Sequence, residues 1–480
     1  MCEKMRTFAW RKMILDALHQ KPRKSLIYWL LRGYLRIVHD KLYYRHTYVV
    51  NSENAPVVGV PTLVAANHQN AINDPLAVQF AFKRRVVSIF TRADVLQIPV
   101  VGALLRAFGL LPAFRLEQDG EEAVKRNEVV FEEAGMRLLK GYTLAIFPEA
   151  VNQDRHWLGD FSLGYLRLAF QAAERDHFRT DIKILPTVLH YSNYFSMQSD
   201  VMVKYGVPVS LADYYALYKT KPRTAQRTVN KIVRDRISDM MLNITDEENY
   251  AAIDYLRETY GICHARLIGI NPKYLPDRLL SDKQLCAALE RYVESHPEEA
   301  KLLFDEVLTL RDITKKKRIS DWVFDKHVTL MRIIVRVTWM VLLLPLYIVA
   351  LWPHYFIFVL PEPLVRKFTA KGGHFKMFIG GVRYLISTLI TIPLFYTLTV
   401  IIDWVAFGWL FALAHFVLLP FLGLFAWYYR LAFIKGRGWL RYHRAMRRDV
   451  DFRSWPLRRE RLFRRVGEII NNVQTHTDCL

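Results

Sequence analysis

Three stretches in the last third of the chain contain no Asp, Glu, Lys or Arg: residues 337–361, 384–402 and 404–429. A helix needs roughly 20 apolar residues to cross the hydrocarbon layer, and core helices of soluble proteins rarely stay uncharged that long. The last two runs meet that length, and only Asp403 separates them. They predict a helical hairpin with Asp403-Trp404 at its tip. The first run is interrupted by Pro345 and by Trp352-Pro353-His354. It is long for one span and short for two, and predicts a bent, re-entrant or in-plane element.

Charge placement supports a membrane reading. The chain has 67 Lys+Arg against 46 Asp+Glu, a net +21. Residues 1–50 contribute +8 and residues 430–466 contribute +10, so the 380 or so residues between them are nearly neutral. Basic ends suit an anionic membrane surface or a nucleic acid. The arginines of 437–465 are interleaved with Trp439, Tyr442, Phe452, Trp455 and Phe463, a mixture that fits a lipid headgroup layer and makes nucleic acid an unlikely partner. Basic clusters flank every apolar run, whereas Asp403 has no Lys or Arg nearby. The bias of basic loops toward the cytoplasm predicts a multi-pass membrane protein with both soluble parts on that side. In residues 26–38, Ile27, Leu30, Leu31, Tyr34 and Val38 share one helical face and Arg32 and Arg36 the other, as in a basic amphipathic interfacial helix. The four cysteines are scattered, which fits a reducing compartment and makes neither a disulfide framework nor a metal site. No cleavable signal peptide is visible in the first 25 residues.

Between residues 43 and 210 short β-rich runs alternate with helical patterns. Strands are expected at Tyr48–Asn51, Thr62–Ala66, Val86–Phe90, Thr143–Phe147 and Lys183–Leu189, with helices over Glu121–Lys140 and Leu163–Glu174. Residues 211–333 are charged and helix-forming, and read as a helical insertion or lid. The expected organisation is a basic interfacial segment (1–42), an α/β domain (43–210), the helical insertion (211–333), a membrane region (334–430) and a basic cytoplasmic tail (431–480).

The strongest chemical signal is Ala66-Asn67-His68-Gln69-Asn70-Ala71-Ile72-Asn73-Asp74-Pro75. A strand ends at an Asn-His, and an Asp follows close enough to fold back onto the imidazole. It can then hold Nδ1–H and leave Nε2 free as a base. Three more elements follow: Gly109-Leu-Leu-Pro-Ala-Phe-Arg115, Ile146-Phe147-Pro148-Glu149-Ala150 and Ile184-Leu185-Pro186-Thr187-Val188. In this order the set, over about residues 45–210, resembles the glycerolipid acyltransferase superfamily of lysophosphatidic acid and glycerol-3-phosphate acyltransferases.

The resemblance implies an α/β acyltransferase domain, a mixed sheet flanked by helices, carrying a helical insertion and a C-terminal transmembrane helical region. It implies a membrane-bound O-acyltransferase of phospholipid biosynthesis. A fatty acyl group would move from a thioester to a glycerol-phosphate or lysophospholipid hydroxyl, with His68 as general base oriented by Asp74. Arg115 would hold the acceptor phosphate, with Glu149, Asn67 and Pro148 lining the substrate. No metal or resident cofactor is implied; acyl-CoA or acyl-carrier protein is the donor, so acyl-carrier protein is a candidate partner beside the lipid. Three departures stand out. Five residues separate His68 from Asp74 where the family commonly has four, which puts Asn73 at the usual position. Asp74 is the expected partner because Asn cannot stabilise an imidazolium electrostatically. Ala150 stands where Gly is usual, and Ser162-Leu163-Gly164 where Lys-x-Gly is often found. Tyr191, Tyr194 and Phe195 read as core, and His156, His190, His327, His354, His374 and His415 as structural or interfacial. An amino-acid-containing lysolipid as acceptor, or a non-catalytic scaffold of the same fold, are the alternatives.

Overall fold

A computed structural model of the chain describes residues 26–477, apart from 84, 98–101, 104, 107, 115–119, 121, 150–154, 325–328 and 370–375. His327, His374 and Ala150 therefore lie outside the described residues. The described chain falls into two compact units, one made of residues up to Met241 together with Val365–Tyr384, the other of Leu242–Leu364 and Leu385 onward.

The first unit is built on an eight-stranded mixed sheet: β1 (His46–Val50), β2 (Thr62–Ala66), β3 (Val87–Arg92), β4 (Leu111–Ala113), β5 (Thr143–Ile146), β6 (Lys183–Tyr191), β7 (Asp200–Tyr205) and β8 (Val209–Ser210). Its order is β1-β7-β6-β2-β5-β3-β4, with β8 beside β6. The central strands β2, β5 and β6 are parallel to one another. They are almost wholly buried, and continuous apolar runs are what a parallel strand covered on both faces requires. Strands β7 and β8 run antiparallel to β6. Pro112 is tolerated in β4 because that strand is an edge and its missing N–H costs no interior bond. Helices Glu122–Leu139 and Gly164–Arg175 approach closely where a Cβ on Gly135 would lie 3.1 Å from Ala172 Cβ. Leu63, Leu144, Ile184, Leu138 and Phe170 join in one core. Ala225, Val229, Val233 and Ile237 of helix Pro222–Met240 belong to the same core, so it extends past residue 210.

Helix Leu26–Ile37 differs from its expected orientation. Tyr28, Arg32 and Leu35 form the buried face, whereas Leu26, Trp29, Leu30 and Ile37 are exposed. Arg32 is drawn inward because its guanidinium donates to the carbonyls of Gln79 (2.8 Å) and Phe82 (2.5 Å), at the C-terminal end of helix Asn73–Ala81. Those carbonyls lack intrahelical partners and need an outside donor. The outward stripe is thus more apolar than a basic face, as an interfacial helix requires.

In the second unit helices Tyr250–Leu267, Leu275–Ser295 and Pro297–Lys317 pack together, joined by helix Trp455–Thr477. Arg459 donates to Asp321 (3.0 Å), and Phe463 packs edge-on against Tyr260. Among the described residues three helices are long and apolar enough to cross a membrane: Leu344–Lys367, Phe378–Phe407 and Trp409–Arg448. The break between the last two is at Gly408, whose φ of 89° favours glycine, and not at Asp403. Asp403 is buried instead and accepts from His415 Nδ1 at 2.6 Å, tying the two arms together. His354 makes a second tie: its Nδ1 donates to Ala350 O (2.7 Å) and its Nε2 accepts from the Tyr396 hydroxyl (2.8 Å). Polar groups in an apolar layer are placed where each finds a partner.

Candidate active site

The C-terminal end of β2 delivers Asn67 and His68 to the top of the sheet. The chain then turns through Asn70–Asn73 into helix Asn73–Ala81, with Asn73 N donating to Asn70 O at 2.8 Å. Ala71 adopts a φ of 39°, unusual for a residue with a Cβ. This left-handed step absorbs the fifth intervening residue and brings Asp74 back beneath the imidazole.

His68 Nδ1 lies 2.8 Å from Asp74 Oδ2. Asp74 is completely buried, whereas the His68 side chain keeps 18% of its exposure. The same Oδ2 accepts from the backbone N–H groups of Gln69 (2.8 Å) and Asn70 (2.7 Å), and Oδ1 accepts from the Tyr191 hydroxyl (2.7 Å). Asp74 and not Asn73 therefore contacts the imidazole; Asn73 Nδ2 donates to Asn70 Oδ1 at 3.3 Å. With Nδ1 as the donor, Nε2 is left as acceptor. Phe147, after β5, stacks on the His68 ring at 4.4 Å and 21°, fixing its plane.

Glu149 accepts from His68 N through Oε1 (2.9 Å) and from Gly159 N through Oε2 (2.9 Å), and is buried. Burial raises its carboxyl above the usual carboxylate range, the two backbone donors opposing. Both oxygens are engaged by backbone, so Glu149 staples the His68 strand end to the loop after β5. Asn67 is fully buried and spends its amide on β6: Nδ2 donates to Leu189 O (3.1 Å) and Leu189 N donates to Oδ1 (2.7 Å). Pro148 accepts from Ser162 N at 3.0 Å. These three residues, expected to line the substrate, hold the strand ends that carry His68. Arg115 lies outside the described residues, shortly after β4. Tyr191 and Tyr194, read from sequence as core, carry hydroxyls that reach the site: Tyr194 donates to Gln69 Oε1 at 2.7 Å. Only their position just after the last block hinted at this.

One wall comes from far along the chain. Helix Lys376–Ile386 lies on this loop, where a Cβ on Gly381 would be 2.9 Å from Ile72 Cβ and one on Gly380 would be 2.5 Å from Tyr194 O. Tyr43 donates to Gly380 O (2.6 Å), Tyr384 donates to Leu35 O (2.8 Å), and Arg383 bonds to Phe195 O.

A paired imidazole and carboxylate at the strand ends of a mixed α/β sheet can act as a general base. Residues 46–190 match the family model of the acyltransferases. That stretch is similar to an acyltransferase domain. An uncharacterized acyltransferase of Schizosaccharomyces pombe is 29% identical over 140 residues, which is 28% of this chain and 20% of that relative. The chain thus spans about one fifth of the relative's length. The crystal structure of the 1-acyl-sn-glycerophosphate acyltransferase PlsC from Thermotoga maritima aligns with 48% of this chain and 88% of its own, at 18% identity and a TM-score of 0.33.

Glu149→Gln replaces one acceptor oxygen by a donor that faces a backbone N–H. It is expected to destabilise the loop by about 1–3 kcal/mol and to lower activity through misplacement of His68. Thermal unfolding and turnover of the purified variant check this.

Proposed function

We propose that the protein is a membrane-bound O-acyltransferase that esterifies a phosphate-bearing glycerol or lysophospholipid hydroxyl with a fatty acyl group from acyl-CoA or acyl-carrier protein. The observation that carries this reading is the His68–Asp74 pair, with the carboxylate buried and the imidazole open at Nε2. Nε2 takes the hydroxyl proton as the acceptor oxygen attacks the thioester carbonyl carbon. The C–S bond then breaks, and the imidazolium returns the proton to the departing thiolate, giving ester and free thiol. General-base assistance of this kind contributes about 10²–10⁴ in rate. No serine or cysteine nucleophile is required, because the thioester is already activated. The acyltransferase family match supports acyl transfer.

His68→Ala is expected to bring transfer to background while the protein stays folded and membrane-bound. Asp74→Asn should lower kcat at least about 10²-fold, far more than Asn73→Ala. The assay pairs glycerol 3-phosphate and lysophosphatidate with palmitoyl-CoA and palmitoyl-carrier protein; turnover by His68→Ala equal to wild type overturns the reading. In the same assay Arg115→Ala should raise KM for the phosphate-bearing acceptor. Arg115→Lys should rescue it only in part, since an ammonium lacks the planar fork that meets a phosphate at two points.

Chain continuity supports a membrane arrangement for this reading. The chain leaves the catalytic unit after Met241 and rejoins it at Val365–Tyr384, where Tyr43, Leu35 and Phe195 bond to Gly380, Tyr384 and Arg383. A unit that packs on itself lies on one side of a bilayer, so the excursion between makes an even number of crossings. Among the described residues of that excursion only the helix beginning at Leu344 is long and apolar enough to cross. One candidate and an even count favour a segment that re-enters over one that spans. Likewise Arg459 and Phe463 pack on Asp321 and Tyr260, so the helices meeting at Gly408 cross as a pair. At 1.5 Å per residue each exceeds a hydrocarbon layer of roughly 30 Å. The basic flanks favour a cytoplasmic catalytic side. In a cysteine-free background, a membrane-impermeant thiol reagent should label Gly408→Cys in intact cells, and Gly372→Cys and Gly436→Cys only after permeabilisation. Labelling at residue 372 in intact cells means that the first helix crosses.

A further inference from the structure

Tyr191 ends β6 and is 2% exposed. Its hydroxyl donates to the one oxygen of Asp74 that His68 does not use, at 2.7 Å. The other oxygen already accepts three bonds, from His68 Nδ1 and the N–H groups of Gln69 and Asn70. We infer that Tyr191 is a positioning residue for acyl transfer: its hydroxyl locks the Asp74 carboxylate against the imidazole and withdraws charge from it, which keeps His68 in its neutral, proton-accepting form. The inference rests on the reading of His68 as base.

The reasoning is electrostatic. A carboxylate beside an imidazole favours the imidazolium, and hydrogen bonds donated to that carboxylate spread its charge and weaken the effect. Too strong a carboxylate would hold His68 protonated and useless as a base near neutral pH. Burial pushes the Tyr191 hydroxyl well above its ordinary range, with Asp74, Tyr44 and Tyr194 adding in the same direction. It therefore remains a donor at every working pH. The other groups facing the pair are Glu149, bonded to His68 N from the loop after β5, and Tyr44, which packs on the Tyr191 ring at 6.0 Å. Tyr194 reaches Gln69 from beyond β6, and His156 lies 3.4 Å from the Tyr194 hydroxyl. None of these replaces the bond to Asp74 Oδ1.

The plain alternative is that Tyr191 fills space, its ring packing against Tyr44 and Tyr194. Tyr191→Phe keeps the ring and removes only the hydroxyl, so the two roles separate. The test uses the purified full-length chain, with the acceptor and donor that the wild type turns over best in the panel above. Tyr191→Phe is expected to lower kcat about tenfold with KM for both substrates within about twofold. The acid limb of its kcat/KM profile should move to higher pH by about half a unit or more, because Asp74 then presents more charge to His68. A profile superimposable on wild type, or a uniform loss at all pH values together with a lowered melting temperature, assigns Tyr191 to packing and overturns the inference. Activity in His68→Ala overturns it too, by removing the base itself. An inactive His68→Ala with an unshifted Tyr191→Phe overturns the positioning role alone.

Discussion

A carboxyl group with no solvent contact must fill its lone pairs from the protein, and Asp74 does so with four donors drawn from two places. His68, Gln69 and Asn70 supply three within six residues of it, and Tyr191 supplies the fourth from the end of β6. The geometry around it follows from that requirement. The left-handed Ala71 brings the carboxylate back under the loop, and Asn67 ties β2 to β6 so that the tyrosine arrives at the right height. Glu149 performs the same office for the His68 backbone from the β5 side. The reactive imidazole is thus the most exposed member of a set whose other members are sealed.

Much of this was legible in the sequence where a local pattern carries the information. β2, β5 and β6 are buried on both faces, so their unbroken apolar runs announce them, and the family fold expected from the four blocks is the one the chain adopts. Strand β7 alternates less clearly and pairs antiparallel at the side of the sheet, and β4 is three residues with a proline at its centre; neither has a run long enough to read. The contribution of Glu149 was hidden because its partners are backbone amides, which every sequence has everywhere. Arg32 was assigned to a polar face by periodicity, yet uncapped carbonyls of another helix outweigh the desolvation of its guanidinium. The hairpin tip was placed at the only charge. A turn, however, is set by which residue tolerates positive φ, and that is Gly408, five positions on.

The two polar ties among the apolar helices share a logic with the catalytic pair. Asp403 with His415, and His354 with Tyr396, each match one donor to one acceptor where water is scarce. Gly423 makes room for the second, since a Cβ there would lie 2.5 Å from His354 Nε2. Such ties fix the register of helices that have little hydrophobic preference for one another in lipid.

The catalytic unit is discontinuous in sequence. On helix Lys376–Ile386, Gly380 lies against the carbonyl of Tyr194 and Gly381 against the side chain of Ile72. A larger residue at either glycine would push into that loop. A shortened chain ending at Met241 would keep the whole sheet yet be missing one side of its own active site.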